Sequence, residues 1–199
     1  MNKLLKVKKL HNQYYILRHG QSRVNVLGVI SSQPKNGLTK FGLTSVGKKQ
    51  VGQSVRQAKF LKSDTIIYSS DFLRTRQSAE IAKKILKAKK VSCSPKLRER
   101  NFGRLELTSS VNYAKVRKFD RQSRVSHGYG SESVAQVMKR MLEVIFMLEK
   151  KYSGRQILLV SHGDPLKILL AAFKSNNNPF THGAKTIPLA SLKKLTLKN

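Results

Sequence analysis

Cysteine occurs once in the 199 residues, at Cys93. That excludes an internal disulfide and any cysteine-based metal cluster, and it points to a reducing compartment. No apolar run approaches the roughly 20 residues that a spanning helix requires, so no transmembrane segment is expected. The N-terminus MNKLLKVKKL lacks the uninterrupted apolar centre and small-residue cleavage site of a secretory signal. Its basic character is compatible with a short organelle-targeting signal, which leaves cytoplasm, mitochondrion and plastid open as intracellular locations. Acid is scarce: Asp and Glu total 10 against 40 Lys and Arg, the net charge is +30, and no acidic residue precedes Asp64. A field of that sign attracts polyanions and speeds capture of phosphorylated substrates.

The hydrophobic fraction is 39%, but the apolar residues recur in periodic blocks, as in a folded chain. We expect one domain over 1–199, with 1–12 as a basic extension. Tyr14 to Leu17, Thr65 to Tyr68, Val91 to Cys93 and Ile157 to Val160 read as strands, and a last strand is expected within Ser191 to Leu197. Helices are expected from Thr44, as N-cap, to about Leu61, from Ser69-Ser70-Asp71 to about Lys87, over Ser131 to Lys150, and over Pro165 to Phe173. Asp71 reads as a helix N-terminal charge. Residues 20–43 read as a long loop, and 94–130 as a short cap of loops with one helix around Tyr113 to Phe119. Strands alternating with helices imply an α/β sandwich with a mainly parallel sheet.

Such sheets bind ligands at the carboxyl ends of their strands. The first strand ends in Arg18-His19-Gly20, the second runs into SSDFLRTR with Arg74, and the late strand ends in Ser161-His162-Gly163. Two histidines and two arginines therefore converge on one edge. Phosphoryl transfer to a side chain needs a nucleophile and fixed positive donors around three oxygens. A neutral imidazole supplies the first and planar guanidinium groups the second. An acid must also protonate the leaving oxygen, and Glu99 in LRERNFG is the best-placed candidate.

LRHGQS, YSSDFLRTRQSAEIA, LRERNFG, GSESVAQVMKRM and VSHGDPLKILLAAF, in that order over residues 13 to 173, resemble the motifs of the histidine phosphatase superfamily, also called phosphoglycerate-mutase-like. The resemblance implies a three-layer α/β/α sandwich and a phosphomonoester hydrolase. His19 would be the phosphate-accepting nucleophile and Glu99 the proton donor, with Arg18, Arg74, His162 and Asn25 contacting the phosphoryl group and Glu132 orienting its neighbours. No metal or organic cofactor is implied, and the substrate would be a phosphorylated small molecule or peptide.

Rival readings accompany several residues. Arg76 competes with Arg74 for the phosphate. Arg98 and Arg100 flank Glu99 and offer it a purely structural pairing, and Asp164 is the alternative acid. His11, His127 and His182 read as structural or surface residues. The family often continues its Glu segment with Gly-x-x-Glu-Gly, whereas FGRLELTSS loses the second glycine. The short cap favours water over a second alcohol as acceptor, hence a phosphatase over a mutase. A second reading of the whole chain makes catalysis incidental and assigns the basic surface to binding RNA or a ribonucleoprotein assembly such as an organellar ribosome.

Overall fold

From Tyr14 to Leu17 every residue is buried. Successive side chains leave a strand on opposite faces, so both faces of the sheet must be covered. The structure, a computed structural model, describes residues 4, 7, 9–125, 127–180 and 186–198, and it supplies both covers. Strand β1 (Gln13–Arg18) lies between β4 (Gln156–Ser161) and β5 (Leu192–Leu195), followed outward from β4 by β2 (Ile66–Ser69) and β3 (Val91–Cys93). All neighbours run parallel except β5, which is antiparallel to β1. This is the expected α/β fold with a mainly parallel sheet.

Tyr14, Ile16, Ile157 and Leu159 enter one core with helices α6 (Val134–Lys151) and α7 (Gly163–Phe173), through Val137, Met141, Ile145, Leu166 and Leu169. Tyr15, Leu17, Leu158 and Val160 enter the other, against Val51 and Val55 of α3 (Ser45–Gln57) and Ala79 and Ala82 of α4 (Leu73–Leu86). The period-2 alternation of β1 and β4 thus feeds two cores, which makes three layers.

Local chemistry sets most boundaries. The Thr44 hydroxyl accepts the Gly47 N–H at 3.0 Å and caps α3. Ser133 and Gln136 form a reciprocal capping box at the start of α6. Helix α3 stops at Gln57, short of the expected Leu61, because the chain turns at Ala58 and sends Leu61 into the sheet-side core. Residues 20–43 are not simply a loop: they hold α1 (Arg23–Leu27) and α2 (Pro34–Gly37), each too short to show a period. The region 94–130 carries three single 3₁₀ turns and α5 (Tyr113–Gln122), with a small core of Ile30, Phe102, Leu105 and Val116 beneath it.

Leu107 stands where the family pattern from Gly103 would place its second glycine. Its φ is +61°, in the left-handed region that costs a non-glycine residue about 1–2 kcal/mol. Its N–H donates to the Ile30 carbonyl at 2.8 Å, which holds the conformation in place. The side chain is exposed, so replacing it forfeits little burial. Leu107→Gly should therefore stabilise the fold by about 1 kcal/mol after glycine's own entropic cost, raising Tm by roughly 3 °C. An unchanged or lower Tm in calorimetry would show that the strain is relieved elsewhere.

Candidate active site

Sheet register brings the three strand ends into one row. Arg18 is the register partner of Ser161, and Ser69 of Val160. Just beyond, the His19 N–H donates to the Ser161 carbonyl at 3.1 Å and the Ser70 N–H to the Val160 carbonyl at 2.9 Å. Gly20 then passes α3 so closely that a Cβ there would lie 2.3 Å from the Gly47 carbonyl oxygen, while one on Gly47 would lie 1.9 Å from that of Gln21. Two backbones in contact require glycine on both sides, and this contact fixes where His19 sits. Behind the second histidine, a Cβ on Gly163 would press on the Arg18 guanidinium at 3.3 Å.

The imidazoles are both buried, with ring centroids 5.2 Å apart. His19 Nδ1 lies 2.8 Å from the Gly20 carbonyl oxygen. A carbonyl can only accept, so Nδ1 carries the proton and Nε2 keeps the lone pair. His162 Nε2 lies 3.0 Å from Ser70 Oγ, which itself accepts the Phe72 N–H. With the serine proton given to Nε2, the neutral His162 ring carries its own proton on Nδ1. Burial, then the Arg74 and Arg18 charges, push His19 well below the ordinary histidine value. Burial, Arg74 and His19 do the same to His162. Both rings are neutral at neutral pH.

Arg18, His19, Arg74, Asn25 and Glu99 line one cavity of about 110 Å³. Arg18 is anchored by Nη1 on the Ile187 carbonyl at 2.5 Å, and Arg74 by Nη2 on the Ser31 carbonyl at 2.9 Å. Their remaining inward donors, Arg18 Nε and Arg74 Nε and Nη1, are buried without a hydrogen-bond partner among the described residues, as is His162 Nδ1. Four unpartnered buried donors are costly unless an anion is meant to occupy the space between them. Arg76 instead turns outward to the Leu38 carbonyl. Asn25 is exposed; its Oδ1 accepts from the Ser22 N–H and hydroxyl, which leaves its amide nitrogen as the donor offered to the cavity. A larger groove of about 1040 Å³ along the outer side of α6 contains none of these residues.

Glu99 does not pair with its neighbours in sequence. Arg98 makes a two-point contact with Asp71 at 2.6 and 2.7 Å. Asp71 is thus an ion-pair partner in the loop before α4, a correction to its reading as a helix-end charge. Arg100 is fully buried against Asp120 at 2.6 and 2.8 Å. Among the described residues, the Glu99 carboxylate keeps the Arg100 N–H, at 2.9 Å, as its hydrogen-bond partner. Burial, then the Asp164 charge, push its carboxyl up to about 7, against the opposing pull of Arg74. Asp164 lies near Arg100 and Arg117, at 3.8 and 3.9 Å, and does not line the cavity.

Glu132 binds Arg140 at both carboxylate oxygens, 2.9 Å each, and accepts the Asn101 N–H. Arg140 in turn donates to the carbonyls of Lys96, Arg98 and Glu99 at 2.7, 2.9 and 3.2 Å. The loop carrying Glu99 is therefore held by this guanidinium; the motif GSESVAQVMKRM contains Arg140, but the sequence does not show what that arginine holds. Glu106 was missed. It gathers the Ser32 N–H and hydroxyl, the Gln33 N–H and the Asn36 amide, securing the segment whose Ser31 carbonyl anchors Arg74. His11 and His127 are exposed; His182 lies outside the described residues.

Residues 14–199 match the family model described as the histidine phosphatase superfamily, branch 1. A metal-independent phosphoserine phosphatase of Arabidopsis thaliana is 27% identical over 171 residues, covering 83% of this chain and 70% of the relative. A probable phosphoglycerate mutase of Erwinia tasmaniensis is 30% identical over 171 residues, covering 80% and 73%. Among solved structures, a mycobacterial glucosyl-3-phosphoglycerate phosphatase superposes with a TM-score of 0.77 over 92% of this chain and 90% of its own, at 21% identity.

Proposed function

Since the chain belongs to the histidine phosphatase superfamily, we propose that it is a phosphomonoester hydrolase working through a phosphohistidine at His19. The observation that carries this reading is the set of buried donors on Arg18, Arg74 and His162 that have no partner among the described residues, around a neutral His19 whose Nε2 keeps its lone pair. Three phosphoryl oxygens would satisfy them.

His19 Nε2 attacks phosphorus in line with the ester oxygen. The P–O bond to the alcohol breaks while the Glu99 carboxylic acid gives its proton to that oxygen, releasing a neutral alcohol. The Gly20 carbonyl, bound to Nδ1–H, steadies the positive charge that develops on the ring. Arg18 and Arg74 bind the equatorial oxygens, where fixed cations in a dry site act most strongly. The Glu99 carboxylate then takes a proton from water, whose oxygen attacks phosphorus. The P–N bond breaks, and His19 and Glu99 return to their starting states. A carboxyl held near 7 serves both as acid and as base around neutral pH.

A rapid-quench reaction with an aryl phosphate tests this. Phosphate bound to protein in an acid-labile, base-stable form, located on the peptide carrying His19, is the expected result. Turnover with no such adduct, or an adduct on another residue, would contradict it. The RNA-scaffold reading gains no support from the relatives named above, and an intact cleft favours catalysis as the primary activity.

A further inference from the structure

The peptide unit between Glu99 and Arg100 has both of its polar groups engaged. Its N–H, on Arg100, donates to the Glu99 carboxylate at 2.9 Å. Its C=O, on Glu99, accepts from Arg140 Nη2 at 3.2 Å. A peptide unit is planar, so the N–H and the C=O point in opposite directions and turn together. Whatever holds the carbonyl therefore aims the N–H, and the N–H is what meets the carboxylate.

Arg140 is fitted to that task. Its Nε and Nη2 take the two carboxylate oxygens of Glu132. Its Nη1 donates to the Lys96 and Arg98 carbonyls, and its Nη2 also to that of Glu99. All five N–H donors of a guanidinium are thereby used. The fork stands on a rigid base, since Arg140 lies on α6, whose Met138, Met141 and Leu142 are buried in the core. Glu132 grips the loop a second time: its carboxylate accepts the Asn101 N–H and its own N–H donates to the Asn101 carbonyl, both at 2.9 Å. Arg140 does not line the cavity, so it acts on the chemistry through other residues.

Resting on the phosphatase reading with Glu99 as its acid, we infer that Arg140 is a positioning residue for proton transfer: by fixing the Glu99–Arg100 peptide plane, it sets where the Glu99 carboxyl stands toward the leaving oxygen. A proton donor must lie within hydrogen-bond reach of the atom it protonates, and small misplacements cost rate steeply. Positive charge alone does not meet the need. Lysine carries three donors on one atom and cannot span two carboxylate oxygens and three carbonyls, which leaves the peptide plane able to turn.

Arg140→Lys tests this, because it keeps the charge and removes the fork. The readout is the single-turnover rate of His19 phosphorylation with two esters. An alkyl phosphate, whose alcohol departs only with a proton, should react at least about tenfold more slowly than with the parent. An aryl phosphate with an acidic phenol, which leaves without one, should stay within about twofold. The Arg100 N–H favours the ionised carboxyl, so its loss should move the alkaline fall in alkyl phosphate activity to higher pH. The charges of Arg18, Arg74 and Asp164 that act on Glu99 are left in place. In a Glu99→Gln background the substitution should add nothing. Glu132→Gln, which loosens the hold on Arg140, should show the same selective loss in smaller measure and carries the comparison where Arg140→Lys fails to fold. Parent-like rates with the alkyl ester, equal slowing of both esters, or an effect that persists without the Glu99 carboxyl overturns the positioning role and leaves the phosphatase intact. Absence of a His19 adduct with either ester in the unaltered protein overturns the phosphatase reading itself.

Discussion

His19→Ala should lower hydrolysis of every phosphomonoester by at least about 10⁴-fold, the scale on which enzymes lose activity with their covalent nucleophile. The second imidazole cannot take over. His162 Nε2 is engaged by Ser70, and the proton this leaves on Nδ1 makes that nitrogen a donor. The variant should stay folded, because the two sheet cores are built from Tyr14 to Leu17, Ile157 to Val160 and their helices, none of which requires the imidazole. Circular dichroism and Tm close to the parent's, with turnover gone and inorganic phosphate still bound through Arg18 and Arg74, are the joint expectation. Parent-like turnover would place the nucleophile elsewhere.

Glu99→Gln should separate substrates by their leaving groups. Alkyl phosphates, whose alcohols depart only with a proton, should lose about 10²–10⁴-fold in kcat/KM. An aryl phosphate with an acidic phenol should still phosphorylate His19, giving a burst of phenol followed by a stall, because the base for water is missing. The pH dependence carries the sign. Glu99 acts as an acid in the first step, and its carboxyl is raised from 4.5 to about 7 by burial and Asp164. Parent activity on alkyl phosphates should therefore fall as pH rises through about 7, and the Gln variant should lack that limb. Asp164→Asn should retain it, moved to lower pH because a charge that helps raise Glu99 is gone. If Asp164→Asn abolishes the limb and Glu99→Gln leaves it, the acid has been assigned to the wrong carboxylate.

How far the sequence reaches depends on whether a residue's role is written in a local pattern. β1 and β4 are legible because four consecutive apolar residues in each, rich in β-branched or aromatic types and too few for a helix, read as a strand buried on both faces, and the strand ends then place His19, His162 and Arg18. Arg74 is legible only with its spacing from the serine-rich strand end; nothing local separates it from Arg76. The supports of Glu99 are legible only in part: the motif GSESVAQVMKRM contains Glu132 and Arg140, but not the contacts they make. Arg140 hangs three carbonyls from a helix more than 40 positions away from them, and Arg100 with Asp120 is a buried pair in a stretch that reads as a solvated basic cap. In a chain with 40 basic residues, composition hides the few that are structural. The missing glycine, by contrast, could be named from sequence, but its consequence, a leucine held at φ +61°, needed coordinates.

Much of the acid in this chain is held in such pairs. Asp71, Asp120 and Glu132 each meet an arginine, and Glu80 and Glu143 each meet a lysine, whereas Glu99 faces the cavity with one backbone bond. That contrast is why a single carboxyl stands out as chemical in a protein otherwise short of acid.

All of this depends on residues 18, 19, 74 and 162, far apart along the chain, holding one oxyanion between them. A crystal structure of the protein soaked in orthovanadate tests it most directly, since vanadium adopts the five-coordinate shape of a phosphoryl group in transit. The account predicts vanadium bonded to His19 Nε2, with its equatorial oxygens on both arginines and on His162 Nδ1 and an apical oxygen near Glu99. Vanadate bound away from His19, or bound there with either guanidinium turned aside, would contradict it.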